Sequence, residues 1–451
     1  MIFIVVEALA LFVAVAGTIF AWGHPPVVDG RGTMTVLGQA ATLSLCCMVA
    51  FYYNDLYDLR IVRSFSEFGS RLLQSLGVAM ILLAGFYTLF PETRIAGGRF
   101  ASSLLMIVGV LLPLRAIGYT VMRWRAFADR VLLIGTGRLA RTLLEEIEAR
   151  PHYLYAVVAV VDDGSSHEGP PLPCPLLGPL EHLDKIIEEI APDRIIVALA
   201  ERRGRMPMRQ LLEAETRGIL VEDGLSTYEN FTGKLAIEAL TPSFLIFSGA
   251  FRKSRMLLAI RRLISLTTAA VGLVLTAPLM ILIALAIKFS SPGPVFFIDE
   301  RASRDGRSFR LIKFRTMHEQ TSALEGYSVW SRDDSDRITR VGRWIRKFRL
   351  DELPQFWNIL TGDMDLVGPR PEILRNVKTM SEQIPYYSLR HVVRPGLTGW
   401  AQVRYGYSVS LEQVMEKMRY DLFYIKHMSL WLDLRILADT VKIGLFGRGA
   451  Q

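Results

Sequence analysis

Between Arg343 and Glu372 the chain reads RWIRKFRLDELPQFWNILTGDMDLVGPRPE, and two adjacent carboxylates, Asp351 and Glu352, follow a basic run of Arg343, Arg346, Lys347 and Arg349. Proline is tolerated only in the first turn of a helix, so Pro354 predicts that a short apolar helix begins near Asp351. Asp351 is then placed as its N-cap, beside unpaired amides and the positive end of the dipole, where a phosphate is welcome. An acid pair, arginines and a helix start suit phosphate chemistry better than they suit a core. Spacing alone also admits a plainer reading, in which Asp351 only caps the helix and the arginines snorkel at a surface. Successive helical positions diverge by about 100°, so Asp351 and Glu352 are not expected to share one role.

Three segments decide between these readings. LDELPQFWNILTGDMDLVGPRPE, KFRTM at Lys313 to Met317, and RPGLTGWAQV at Arg394 to Val403 stand in order over the last 190 or so residues. Together they resemble the bacterial sugar transferases of the monotopic phosphoglycosyl transferase family. The resemblance implies transfer of a sugar 1-phosphate from a UDP-sugar to polyprenyl phosphate, with release of UMP, at the start of exopolysaccharide or glycan assembly. An anion attacking a polyanion requires charge neutralisation, so Mg²⁺ or Mn²⁺ with oxygen ligands is expected. Direct attack by the lipid phosphate and a two-step route through a covalent carboxylate intermediate would both serve. The resemblance selects the second, with Asp351 as nucleophile and Glu352 as general acid/base or metal-side ligand. Asp351 is the expected metal ligand, with Glu352 or Asp363 as a candidate second ligand. Arg346, Arg370 and Arg394 match family positions for phosphate binding, and Lys313, Arg315 and Thr316 lie inside a family motif with the same implication. Gly399 to Gln402 are expected to border the nucleotide, and Asp365 and Asp421 are secondary candidates for metal or orientation. His391 and His427 lack ligand spacing and are assigned no chemistry.

The elements that would position these groups follow from composition. Hydrophobic residues make up 51% of 451 and the formal charge is +8, which points to membrane segments and to anionic lipid or phosphorylated partners. No nucleic-acid motif is present. Cys46 and Cys47 lie in an apolar stretch and Cys174 is alone, so neither a disulfide framework nor a zinc site is indicated. Four apolar stretches, near Ile2 to Trp22, Met34 to Tyr53, Leu72 to Phe90 and Ala101 to Met122, have membrane-spanning length. The first carries Glu7 and no basic leader, so it reads as a retained helix. Arg60, Arg63 and Arg71, then Arg123, Arg125 and Arg130, place the loops beside them in the cytoplasm. Arg115 suggests snorkelling or an interhelical contact rather than a transport path.

From about residue 126 to 250 the pattern becomes βαβ, predicting a Rossmann-like doubly wound domain. Gly135, Gly137 and Ala140 match G-x-G-x-x-A, and Asp162 and Asp163 follow at about the distance a dinucleotide site needs. Such a fingerprint alone does not establish a cofactor, and NAD is not expected. A catalytic part is predicted over 251–451. Its first apolar stretch, Leu263 to Ile287, is long enough to span, yet a fifth crossing would carry the catalytic part away from cytosolic nucleotide sugars. A re-entrant helix over about 260–290, broken at Pro278, removes the conflict and matches the family. Here Ala277 and Ser265 stand where the family usually has serine and an acid. PVFFIDERASRDGRSFRLIKF predicts a β-hairpin around Gly306. The tail, with Tyr420, Tyr424 and Trp431, reads as core helices or as amphipathic helices in the head-group layer, the aromatics favouring the latter.

The expected protein is thus a membrane protein of α plus α/β class: four transmembrane helices in 1–125, then the two domains above. Its partners would be a UDP-sugar, polyprenyl phosphate, membrane lipids and, as a candidate, a second copy of the chain. A membrane-anchored NAD-dependent nucleotide-sugar dehydratase or epimerase is the alternative enzyme, but no Tyr-x-x-x-Lys pair is present. A non-catalytic scaffold would not need the acid pair.

Overall fold

Apolar runs of about 20 residues satisfy their backbone polar groups in lipid only as helices, and the N-terminal stretches do so as α1 (Ile2–Ala21), α2 (Gly30–Tyr53), α3 (Phe65–Leu89) and α4 (Gly97–Arg123). The computed structural model describes residues 2–21, 30–57, 65–95, 97–123, 128–149, 155–162, 164, 172–199, 206–237, 240, 251–318, 338–405 and 410–446. Arg60, Arg63, Arg125 and Asp163 lie outside them, as does the expected domain limit at 250. Among the described residues Met34–Tyr53, Phe68–Leu89, Gly97–Ile117 and Arg255–Ser290 are long and apolar enough to cross a membrane, and Val5–Ala21 is a shorter apolar helix. One face of each N-terminal helix is buried, through Leu11, Val15 and Ile19, Leu43, Cys47 and Phe51, Phe68, Leu72 and Leu76, and Ile107 and Leu111. Val5, Leu9, Leu45, Leu73, Ile81 and Leu105 point outward, as a lipid-facing surface requires. Arg115 makes an interhelical contact: its Nη2 lies 2.7 Å from Glu7 Oε2, and its Nη1 donates to Leu56 O at 3.2 Å.

A five-stranded sheet follows, in the order β3-β2-β1-β4-β5. Its strands are β1 (Asp129–Ile134), β2 (Tyr155–Asp162), β3 (Leu176–Pro179), β4 (Arg194–Val197) and β5 (Leu220–Asp223), with helices α5 (Arg138–Glu148), α6 (Leu183–Ile190) and α7 (Met208–Thr216) between them. β1 pairs in parallel with both β2 and β4, as connecting helices demand. Gly135 leaves β1 at φ +113° and donates its N–H to Val161 O at 3.0 Å. A Cβ there would sit 2.7 Å from Ala198 O, so close backbone packing alone requires this glycine. Gly137 is the N-cap of α5, and Asp162 Oδ1 accepts from Gly164 N at 2.8 Å.

The chain divides into two compact units between Val221 and Glu222, in place of a boundary near 250. Helix α8 (Gly224–Thr232), capped by Asp223, belongs to the second unit. Leu235, Ile237 and Leu240 enter that unit's core with Leu366, Tyr387, Trp400 and Tyr424. Leu235 N donates to Arg419 O at 3.0 Å, and Trp400 Nε1 donates to Gly233 O at 2.8 Å.

The 36-residue helix α9 (Arg255–Ser290) carries Pro278 without interruption of its helical course, so the expected break is not a gap between two helices. Proline removes one backbone bond, which a helix can absorb as a bend. Thr276 Oγ1 donates back to Gly272 O at 2.7 Å, the kind of bond that bends helices. Near its start, Arg261 donates to Asp433 at 2.5 Å, to Val367 O at 2.9 Å and to Tyr424. Arg262 donates to Ile359 O at 2.6 Å and Met364 O at 2.9 Å. Ser265 Oγ accepts from Leu366 N at 3.1 Å, a job an ionised acid could also do. Near its other end Ile283 and Ile287 pack with Phe314 and Ile345.

β6 (Phe296–Ala302) and β7 (Ser308–Phe314) form the antiparallel hairpin, turning at Asp305 and Gly306 with φ of 58° and 75°. Then come α10 (Arg340–Lys347), α11 (Gln355–Thr361), β8 (Asp365–Val367), α12 (Leu374–Gln383), β9 (Gly396–Thr398), α13 (Trp400–Arg404), α14 (Leu411–Lys426) and α15 (Leu430–Phe446). β8 and β9 pair in parallel. The tail aromatics divide: Tyr420 and Tyr424 are core, whereas Trp431 is exposed with Leu430, Leu434 and Val441. The head-group reading therefore holds for neither tyrosine.

Truncating fully buried Leu235 to alanine in the full chain should cost about 2–5 kcal/mol. The thermal midpoint in detergent should fall by several degrees, and an unchanged midpoint would mean that 222–240 does not complete the second unit's core.

Candidate active site

The acid pair sits in a 3₁₀ turn, Leu350–Glu352, between α10 and α11. Arg349 enters this turn in the left-handed region at φ +53°, and Pro354 directly precedes α11. Asp351 therefore does not cap the helix as expected: the left-handed step turns the chain two positions earlier, at Arg349. Upstream, Thr339 caps α10 by accepting from Gly342 N at 2.8 Å. A Cβ on Gly342 would lie 2.0 Å from Thr316 O, so glycine lets α10 press against the end of the hairpin.

Asn358 pins α11 to β7, accepting from Ile312 N at 3.0 Å and donating to Arg310 O at 2.7 Å. This ties the strand that carries Lys313 to the acid pair. Sequence reasoning passed over Asn358, although a polar residue inside an apolar helical run was its visible signal. Glu352 is buried and gathers three cations: Arg370 Nη2 at 3.1 Å, Lys313 Nζ at 3.6 Å and Arg349 Nη1 at 4.0 Å. Burial alone would raise its pKa, but Arg370, Lys313 and Arg349 outweigh it and hold the carboxyl down to about 2. Asp351 is half-buried, and among the described residues no hydrogen bond or ion pair engages its carboxylate. Burial and then the charge of Glu352 push its pKa up, against Lys313, Arg346 and Arg370. Lys313 in turn is brought down to about 8 by burial and the nearby Arg370, partly offset by the two acids.

Adjacent carboxylates thus receive opposite treatment. Glu352 is ionised and engaged by cations, which suits a holder of cations; of the two roles expected for it, general acid/base or metal-side ligand, a depressed pKa disfavours the first, since a proton carrier works best with a pKa near ambient pH. The half-buried Asp351 carboxylate is unengaged among the described residues, which suits a nucleophile or a ligand to an incoming cation.

Arg370 reaches Glu352 from the loop after β8. That loop is zipped to β9 by Gly368 N to Thr398 O at 2.8 Å and Gly396 N to Pro369 O at 2.9 Å. A Cβ on Gly396 would stand 2.0 Å from Gly368 N, so this approach requires glycine. Arg346, on the last turn of α10, acts on Asp351 through its charge. The other expected groups lie elsewhere in the second unit. Arg315 is buried and spent on Pro292 O at 2.7 Å and Ser291 O at 2.9 Å, so it fastens the turn after α9 instead of facing a phosphate. Thr316 contributes its carbonyl to Thr339 N at 3.0 Å. Arg394 lies 3.7 Å from Asp365, which also holds Arg262 at 3.1 Å. Gln402 Nε2 donates to Leu397 O at 3.2 Å. Asp421 pairs with buried Arg390 at 2.8 Å.

Asp363 lies past the far end of α11 and accepts from Thr361 at 2.8 Å, so that helix separates it from Asp351 and removes it from the expected metal set. Among the described residues no group of three or more His, Cys, Asp or Glu is placed to hold a metal ion. The donor set at the acid pair is one unengaged carboxylate, that of Asp351. Mg²⁺ commonly binds through one or two carboxylates plus substrate phosphate and water, so this donor set fits it.

Residues 256–447 match the family described as bacterial sugar transferase, and residues 52–214 match one described as CoA-binding domain. The chain is 43% identical over 223 residues to an Aeromonas hydrophila protein named UDP-N-acetylgalactosamine-undecaprenyl-phosphate N-acetylgalactosaminephosphotransferase, covering 49% of this chain and 52% of that one. It is 33% identical over 360 residues to the undecaprenyl-phosphate glucose phosphotransferase of Komagataeibacter xylinus, covering 77% of this chain and 65% of the relative. It is also 43% identical over 183 residues to the UDP-glucose:undecaprenyl-phosphate glucose-1-phosphate transferase of Caulobacter vibrioides, covering 40% of this chain and 68% of the relative. The chain thus spans about half to two thirds of the length of these curated relatives.

Because the folded pKa of Glu352, about 2, lies below its ordinary 4.5, its ion pairs stabilise the fold fully above that ordinary value. That contribution is lost as pH falls from 4.5 toward 2. Glu352→Gln should therefore flatten the decline of the thermal midpoint across this acid range at fixed ionic strength. Equal slopes in wild type and variant would contradict the depressed pKa.

Proposed function

Since the chain belongs to the bacterial sugar transferase family, we propose that it moves a sugar 1-phosphate from a UDP-sugar to polyprenyl phosphate, through a covalent intermediate on Asp351. The observation that carries this is the unequal setting of the acid pair: Asp351 is open while Glu352 is locked by Arg370 and Lys313. In the first step a carboxylate oxygen of Asp351 attacks the β-phosphorus of the UDP-sugar. The bond from that phosphorus to the α–β bridging oxygen breaks, and UMP leaves with the bridging oxygen. In the second step an oxygen of polyprenyl phosphate attacks the same phosphorus, which frees the Asp351 carboxylate and leaves a diphosphate link between lipid and sugar. Neither step needs a proton from Glu352. Its charge instead keeps Arg370 and Lys313 beside the reacting phosphate, with the charge of Arg346 also acting on Asp351. Mg²⁺ or Mn²⁺, held by Asp351, would supply neutralisation of the pyrophosphate.

The same reading covers the membrane. Both ends of α9 pack against one unit, through Arg261 and Arg262 at the start and Ile283 and Ile287 near the end. A full crossing would carry the two ends to opposite faces of the bilayer, whereas a helix that dips in and returns keeps them together. Val271, Val274, Leu275, Ile281 and Leu282 are exposed along its middle, as lipid contact requires. The bend is assigned to Pro278 and the catalytic unit to the cytoplasmic face, where UDP-sugars are found. The parallel sheet is read as a Rossmann-like domain, with Gly135 serving packing and no NAD assigned.

Asp351→Asn should cut UMP release by about 10³-fold or more across a panel of UDP-sugars with polyprenyl phosphate and Mg²⁺. Its thermal midpoint should stay level or rise, because burial disfavours a charge at this position. Undiminished turnover would remove Asp351 as nucleophile.

A further inference from the structure

Three successive carbonyls of the loop that carries Arg370 are taken by donors from elsewhere in the second unit. Arg390 Nη2 donates to Arg370 O at 3.2 Å, Arg301 Nη1 donates to Pro371 O at 3.2 Å, and Ala302 N donates to Glu372 O at 3.0 Å. Arg390 is only 3% exposed, so its charge needs counterions. It has two, Asp421 at 2.8 Å and Glu372 at 3.4 Å, and its Nη1 also donates to Tyr387 Oη at 2.7 Å. Glu372 is held in addition by Lys417 at 2.7 Å. A buried ion pair of this kind is poor evidence of net stability, since desolvation cancels much of the attraction; what it can supply is a fixed geometry. The planar guanidinium fork suits that task. Nη2 spans the Asp421 carboxylate and the Arg370 carbonyl while Nη1 reaches Tyr387 and Glu372, two nitrogens in one fixed plane that the single rotatable ammonium of a lysine does not supply.

We infer that Arg390, seated on Asp421, is a positioning residue that sets the Arg370 guanidinium against Glu352 and the substrate phosphate, with Arg301 as its counterpart across the loop. The connection runs from Asp421 to Arg390, through the backbone of Arg370 to its side chain, and on to Glu352 at 3.1 Å. Neither Arg390 nor Arg301 touches the reacting atoms in this account. Both act by stopping the Gly368–Glu372 loop from shifting, since an error of about 1 Å in a phosphate-binding group is costly. The inference rests on the reading of Arg370 as a phosphate-binding group.

The test is a double-mutant cycle in the full-length protein in detergent, with UDP as the probe and its Kd read by calorimetry. Arg390→Lys should weaken UDP binding by about five-fold or more in the wild-type background and by less than about two-fold in the Arg370→Ala background. A role confined to holding the fold together would weaken binding equally in both. Equal losses, or a wild type that does not bind UDP, would overturn the inference. If the buried lysine prevents folding, Arg301→Lys, from the partly exposed hairpin, is carried through the same cycle with the same two outcomes. UMP release is measured separately on each sample: wild type that binds UDP and releases no UMP would overturn the transferase reading and leave the coupling result standing.

Discussion

Everything in the catalytic unit depends on one electrostatic asymmetry. Two carboxylates joined by a single peptide bond would repel each other and titrate as a pair if their surroundings were alike. They are not alike, because Glu352 points into the protein and gathers Arg370, Lys313 and Arg349, while no hydrogen bond or ion pair among the described residues engages Asp351. One acid is an anion at neutral pH that gathers positive charge next to the site. The other keeps its lone pairs for whatever enters. In the proposed reaction the cations serve twice, first to keep Glu352 charged and then to face the phosphate beside Asp351.

Holding this asymmetry requires that distant parts of the chain converge without slack. Lys313 comes from β7, which Asn358 ties to α11 on both sides of its amide. Arg370 comes from a loop zipped to its neighbour, at positions where added Cβ atoms would collide with backbone. The resulting scaffold is tightly bonded close to the acid pair and apolar along α9, where aliphatic side chains are exposed. Such a division suits the proposed reaction, whose two substrates come from different phases, a nucleotide sugar from water and a polyprenyl phosphate from the bilayer.

Much of this was legible in the sequence for identifiable reasons. Helix lengths follow from bilayer thickness, the hairpin from alternation around Gly306, and the acid pair from its company of arginines. What was not legible came from contacts between residues far apart. The different fates of Asp351 and Glu352 depend on Arg370, eighteen residues beyond Glu352, and on Lys313 from another element. Lys313 and Arg315 are two residues apart and would share a strand face, but β7 ends at Phe314, so Arg315 leaves the pattern and turns to Ser291 and Pro292. The left-handed residue at Arg349 displaced the expected cap. Leu235, Ile237 and Leu240 carry no periodic signal that would assign them to one unit or the other, and only their burial with Trp400 and Tyr424 does so. Nothing local to Arg390 sets it apart from the other bases of the chain, since its counterion Asp421 lies 31 residues on.

The central claim is that the Asp351 carboxylate forms a bond to phosphorus during turnover. Mixing the full-length enzyme with Mg²⁺ and a UDP-sugar labelled at the β-phosphate, without polyprenyl phosphate, tests it most directly by intact-protein and peptide mass analysis. The account predicts one phosphosugar adduct on the peptide containing Asp351, formed together with UMP and discharged when polyprenyl phosphate is added. Full turnover on adding the lipid, with no adduct formed beforehand and no UMP released in its absence, would contradict the account and point to direct attack by the lipid phosphate.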